Sequence, residues 1–177
     1  MPSDPMDPTS TPAKRPTARA ALALVAAFAA AAMLVALYLQ YGLDLKPCPL
    51  CVLQRMGLMG AGLIALLGAL FARSRAAQFA ALGTAAIAAL AGAGVALWHV
   101  WILAYPPESM SCGRPFQWFH EDFPLALWLP RLFRGDGDCL STEWSLLGLG
   151  IPHWSLLGFV VVLGLLAAGA RGAAARR

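Results

Sequence analysis

Charge is what this sequence has least of: 13 basic and 9 acidic residues make up 12% of 177 positions, while 59% are apolar. That balance excludes an ordinary soluble domain of this size. From Ala20 to Leu39 there is no charged residue for 20 positions, which at about 1.5 Å per residue spans roughly the 30 Å hydrocarbon core of a bilayer. Met56 to Ala72, Ala76 to Leu103 and Trp154 to Ala170 are similarly bare, with His99 the only ionisable group in the third. No internal repeat is visible. Cysteine is scarce as well, and none of the four falls inside an apolar run. A c-type haem would need a histidine directly after a Cys-x-x-Cys pair, and position 52 is Val.

What remains predicts an all-α membrane protein, a four-helix transmembrane bundle with helices at about 20–40, 52–72, 76–103 and 153–170. Two loops, about 41–51 and 104–152, share one side, and the second is long. The Pro-rich stretch 1–16 reads as a disordered tail. Lys14, Arg15, Arg19, Arg73, Arg75, Arg171, Arg176 and Arg177 all belong to the opposite side, giving it 8 basic residues against 2 acids, whereas the loop side has 5 against 7. By the positive-inside rule both termini are cytoplasmic and the two loops face outward. The net charge of +4 is therefore a topology signal, and no nucleic-acid partner is expected. The basic start and small-residue triplets of the first run also resemble a secretory signal. The run exceeds a usual signal core, so it is expected to stay as a helix.

Cys48, Cys51, Cys112 and Cys139 all lie on the outward side. In a bacterial inner membrane that side is the periplasm, where disulfides persist. Zinc sites usually draw on two tight knuckles, and the second pair here is 27 residues apart, so no metal is expected. A Cys-x-x-Cys ring closes too short a loop to stabilise much, which favours a redox dithiol over a structural link. Pro47 and Pro49 suit the entry to a helix, whose N-terminal partial charge stabilises a thiolate. Arg55, four positions past Cys51, shares its helix face. It needs an anionic or carbonyl partner at that depth, met by a thiolate, by an oxygen-bearing cofactor or, alternatively, by snorkelling to headgroups. A dithiol reoxidised at the membrane edge needs a lipid-borne acceptor, and a quinone is the obvious one.

Residues 116–133, "FQWFHEDFPLALWLPRLF", form an aromatic, partly amphipathic segment suited to the membrane surface, either anchoring the long loop or merely floating over the bundle. His99, between Trp98 and Trp101, either lines a quinone pocket or sits in the interfacial aromatic belt. Gln40 and Tyr41 are weaker pocket candidates. Gly57, Gly60, Gly62, Gly92 and Gly94 are expected to let helices approach closely.

The run Gln40 to Arg55, with Lys46-Pro47-Cys48-x-x-Cys51-x-x-x-Arg55, resembles the first outward loop of the bacterial disulfide bond formation protein B family, DsbB. The likeness continues through "YPPESMSC", "WLPRLF", "GDGDC" and "EWSLLGLGIPHWSLLG". It implies redox disulfides Cys48–Cys51 and Cys112–Cys139. A soluble DsbA-like thioredoxin-fold partner would attack at Cys112, and Cys139, thus freed, would attack Cys48. That would release Cys51 toward a quinone, ubiquinone or menaquinone, with Arg55 supporting quinone reduction. A position matching His99, 13 residues before the loop cysteine, is also His in familiar members. The implied activity is a protein-dithiol:quinone oxidoreductase of the bacterial inner membrane that sustains disulfide formation.

Two alternatives compete. Vitamin K epoxide reductase-like four-helix proteins also couple cysteines to quinones, but their Cys-x-x-Cys lies near the last helix. A noncatalytic membrane protein with structural disulfides would show no quinone dependence.

Overall fold

Thr17 opens the first helix by accepting a hydrogen bond on Oγ1 from the Ala20 amide at 3.1 Å, satisfying one of the donors a helix start leaves unpaired. The computed structural model describes residues 17–106, 133, 135, 137–141 and 144–175. Cys112, the 1–16 tail and the 116–133 segment apart from Phe133 lie outside the described residues. The elements are α1 (Ala18–Gly42), α2 (Pro49–Phe71), α3 (Arg75–Ala104), β1 (Ser145–Leu146), β2 (Leu149–Gly150) and α4 (Ile151–Ala174). Among the described residues, four helices are long and apolar enough to cross a membrane. The chain is a multi-pass, four-helix membrane protein.

Helix ends follow caps rather than hydropathy. Ser74 Oγ accepts from the Ala77 amide at 3.1 Å. Pro49 occupies the first turn of α2, where its missing N–H costs nothing, so this helix begins at Pro49, earlier than the apolar run suggests. Pro152 does the same for α4, which starts at Ile151.

Each helix packs on its chain neighbours and α1 closes against α4, while α2 and α4 scarcely meet across the diagonal. Small residues set these approaches. A Cβ on Gly57 would lie 2.8 Å from the Gly92 Cα, and one on Gly92 would lie 2.3 Å from the Phe159 ring. Gly94 faces open space, so the expectation that it eases helix contact is corrected. The buried core combines Leu22, Val25, Ala61, Ala65, Ala85, Ala89, Phe159 and Val162. In lipid, close packing of such small residues supplies the association that a hydrophobic driving force supplies in water. Leu34, Leu66, Leu70, Ile87, Leu97 and Val160 face outward, as lipid-facing residues should.

The two ends of the bundle differ. At the cysteine end Tyr38, Tyr41, Trp98, Trp101, Tyr105 and Trp154 are exposed, an aromatic belt suited to the headgroup region. A two-residue hairpin pairs Ser145 with Gly150 and Leu146 with Leu149 and delivers the chain into α4. Its turn holds Leu147 at φ 55° and Gly148 at φ 76°, the left-handed geometry that matches strand twist. Trp154 Nε1 donates to the Leu146 carbonyl at 3.3 Å and fixes the hairpin on the helix. At the other end Arg75 donates to the Ala173 carbonyl, placing a cation at the C-terminus of α4.

Candidate functional site

The site is built where α2 begins. Cys48 is the N-cap residue, and its Sγ accepts from the Cys51 amide at 3.2 Å. One helical turn brings Cys51 back over the cap. The Cys48 thiol donates to Cys51 Sγ across 2.8 Å, so the two sulfurs need little rotation to bond. Cys48, Cys51 and Cys139 are present as thiols.

Cys139 reaches the same place from 91 positions away in sequence, because a glycine-bearing strip of the long loop lies against the Lys46–Pro49 segment. The Gly137 amide donates to the Pro47 carbonyl at 3.0 Å. A Cβ on Gly137 would fall 2.2 Å from the Lys46 carbonyl oxygen, and one on Gly135 would fall 3.0 Å from the Cys48 carbonyl carbon. Only backbone fits there. Asp138 then accepts from the Leu140 amide and its carbonyl accepts from Ser141 Oγ, both at 3.0 Å, closing a turn around Cys139. The outcome is burial of both sulfur-bearing residues, with Cys48 3% and Cys139 1% exposed. The Cys48 thiol is held above its ordinary value, first by hydrogen bonding with Cys139, then with Cys51, then by burial.

His99, from α3, completes the cluster. It is 2% exposed and turned inward, not into the aromatic belt beside it. Its Nε2 lies 3.0 Å from the Cys139 carbonyl oxygen, which can only accept. The proton therefore sits on Nε2, and Nδ1 accepts from Gln54 Nε2 at 3.2 Å. His99 Nε2 is also 4.0 Å from Cys48 Sγ. The ligand atoms of Cys48, His99 and Cys139 all lie within 4.8 Å of one another. Gln54, 4% exposed, is a member of the site beyond those the sequence reading names. Its signal was an uncharged polar residue inside an apolar span, where such groups face the bundle interior.

Arg55 does not snorkel to headgroups. Its Nη1 donates to Gln40 Oε1 at 2.6 Å and its Nη2 to the Ala36 carbonyl at 3.3 Å, clamping α2 to the end of α1. Beside this clamp opens a cavity of about 370 Å³. Phe28, Leu58 and Phe159 contribute apolar wall, and Cys51, Gln54, Arg55, His99 and Gln40 contribute the polar groups. Tyr41 is exposed and does not line this cavity; its hydroxyl accepts from Gln40 Nε2 at 3.3 Å.

A multi-pass membrane bundle in which two buried thiols, Cys48 and Cys139, converge with a third, Cys51, at the wall of an apolar cavity defines a membrane thiol–disulfide oxidoreductase. Comparison with known proteins gives that class its family. The family described as disulfide bond formation protein DsbB matches residues 18–169. The chain is 44% identical over 165 residues to disulfide bond formation protein B of Verminephrobacter eiseniae (strain EF01-2), covering 90% of this chain and 92% of the relative. It is 41% identical over 135 residues to the protein of that name from Azoarcus sp. (strain BH72), covering 76% and 81%. The corresponding Acidovorax sp. (strain JS42) protein is 38% identical over 160 residues, covering 88% and 91%. The chain belongs to the DsbB family, and its role is in disulfide bond formation.

Proposed function

We propose that the chain oxidises a periplasmic thioredoxin-fold dithiol protein of the DsbA type and passes the two electrons to a membrane quinone. The observation that carries the reading is the burial of Cys139, a long-loop residue, against Cys48, whose partner Cys51 lines the cavity. In the cycle a partner thiolate attacks the Cys112–Cys139 disulfide at Cys112, and Cys139 leaves as a thiolate. The partner's second thiol resolves the mixed disulfide, and the partner leaves oxidised. Cys139 attacks Cys48, the Cys48–Cys51 bond breaks and Cys51 leaves as the new thiolate. Cys112 then attacks Cys139, which restores Cys112–Cys139 and leaves Cys48 and Cys51 as the dithiol whose two electrons a quinone would accept.

The cavity suits a quinone: its walls are apolar, its volume is in the range of small-molecule sites, and its few polar groups converge. Bound there, a quinone supplies a two-electron acceptor. The protein's own part is to hold Cys51 at the cavity wall, to keep Arg55 fixed between Gln40 and Ala36 as a cation facing it, and to keep water out. The positive-inside bias supports an inner-membrane orientation with cytoplasmic termini and a periplasmic thiol centre.

One test isolates the geometric core of this relay. A double variant, Cys51→Ser with Cys112→Ser, leaves Cys48 and Cys139 as the only cysteines. Mild oxidation in detergent should join them, and mass spectrometry of the digest should find the linked peptides. Two unlinked thiols under conditions that oxidise wild type would sink the proposal.

A further inference from the structure

The thiol cluster has a second chemistry open to it. Cys48 Sγ, Cys139 Sγ and a ring nitrogen of His99 lie within 4.8 Å of one another, and Cys51 Sγ stands 2.8 Å from Cys48 Sγ. Tetrahedral zinc, with metal–sulfur bonds of about 2.3 Å and metal–nitrogen bonds of about 2.0 Å, requires ligand atoms roughly 3.3–3.8 Å apart. The His99 Nε2 to Cys48 Sγ separation of 4.0 Å approaches that requirement. The 2.8 Å between Cys48 Sγ and Cys51 Sγ falls short of it, so Cys51 has to rotate away from Cys48 to serve as a ligand. Residue spacing along the chain conceals the arrangement, because it is assembled from α2, α3 and the long loop rather than from two knuckles, which is why the sequence gives no expectation of metal.

We propose that the fully reduced chain binds one thiophilic divalent cation, Zn²⁺ in the cell, through Cys48, Cys139 and His99, with Cys51 as fourth ligand. Binding releases the thiol protons, so affinity rises with pH. It also asks for a change at Gln54. When Nε2 of His99 turns to the metal it gives up the Cys139 carbonyl, and the ring proton moves to Nδ1. The Gln54 amide then rotates so that its oxygen accepts that proton, the outer-shell hydrogen bond that orients a zinc-bound histidine. Both residues are buried and already hydrogen-bonded to each other, so the exchange needs an amide flip and no backbone motion.

The consequence is a resting state. With its thiolates on a metal, the centre can form neither the Cys48–Cys51 nor the Cys48–Cys139 bond, so metal loading and oxidation exclude each other. The inference takes the reduced state from the proposed relay, but its test needs neither quinone nor partner.

The experiment titrates Co²⁺, a spectroscopic stand-in for Zn²⁺, into reduced full-length protein in detergent under argon. Wild type is expected to bind one Co²⁺ with a thiolate-to-cobalt charge-transfer band and the strong visible bands of tetrahedral cobalt, all bleached by added Zn²⁺. Cys139→Ser, a loop substitution that leaves the helices intact, should weaken binding on the order of 100-fold or more, and Gln54→Ala about 10–100-fold. Absence of the charge-transfer band in wild type overturns the proposal. So does a band that survives unchanged in Cys139→Ser and in His99→Ala, which would put the metal elsewhere. Quinone reduction by metal-free protein is measured separately, so loss of the relay and loss of the metal site are told apart.

Discussion

Gly137→Ala should uncouple the two loops while leaving the bundle intact. A Cβ at this position would meet the Lys46 carbonyl oxygen at 2.2 Å, the Lys46 carbonyl carbon at 3.0 Å and the Pro47 carbonyl carbon at 3.1 Å, all of them backbone. No side chain can swing aside. The strip has to withdraw by about 1 Å, and a misplacement of that size at a reacting centre costs about 10²-fold in rate. The withdrawal also stretches the 3.0 Å hydrogen bond from the Gly137 amide to the Pro47 carbonyl, worth about 0.5–1.5 kcal/mol. Because Cys139 follows two residues later, its attack on Cys48 should slow by about two orders of magnitude. Rapid-quench trapping with alkylating reagent, using a reduced DsbA-type protein to start the reaction, would follow the Cys48–Cys139 species directly. Gly83→Ala is the control, since a Cβ there meets nothing within 4 Å and alanine is the better helix former. Wild-type rates in Gly137→Ala would refute the claim that backbone docking of this strip positions Cys139.

Three further outcomes follow from the same structure. Gly92→Ala drives a methyl to 2.3 Å from the Phe159 ring, so thermal unfolding in detergent should show a loss of about 1–3 kcal/mol, with Gly94→Ala near neutral. Arg55→Lys cannot span both Gln40 Oε1 and the Ala36 carbonyl as the guanidinium does. It should depress electron delivery to quinone about as much as Arg55→Ala, while exchange with the partner dithiol proceeds at the wild-type rate in stopped-flow fluorescence. Finally, the Cys48 thiol is held above its ordinary range by Cys139, Cys51 and burial, so it keeps its proton and is the poorer nucleophile at pH 8. Iodoacetamide mapping of reduced protein should label Cys51 before Cys48, and equal labelling of the two at pH 8 would contradict that order.

The helices were legible because hydropathy reports lipid, and lipid faces most of each span. Their ends were legible only in part: Pro49 marks the entry to α2 ahead of the apolar run, whereas α4 opens at Ile151, before the start its apolar run suggests, and a cap is a local hydrogen bond rather than a composition. The turn at Leu147–Gly148 is hidden in the sequence for a similar reason: one of its two left-handed residues is a leucine, which carries no turn signal. At the site, Cys48, Cys51, Cys139, Arg55 and His99 announced themselves by residue type. The inward aim of His99 did not, because flanking Trp98 and Trp101 gave it the look of a belt residue. Gln54 and Gly137 owe their importance to neighbours 45 and 90 positions distant in sequence, His99 and Pro47; polarity inside an apolar span marks Gln54, but nothing local marks Gly137.

The most direct test of the relay is quinone reduction by purified protein in detergent, supplied with a reduced DsbA-type dithiol protein and either ubiquinone or menaquinone. Quinone absorbance and partner thiols would be followed together. The account predicts one quinone reduced for each partner dithiol oxidised in wild type, with no quinone reduced by Cys51→Ser or Cys112→Ser. A quinone left untouched while all four cysteines of the chain stand oxidised would make the disulfides structural and contradict the account.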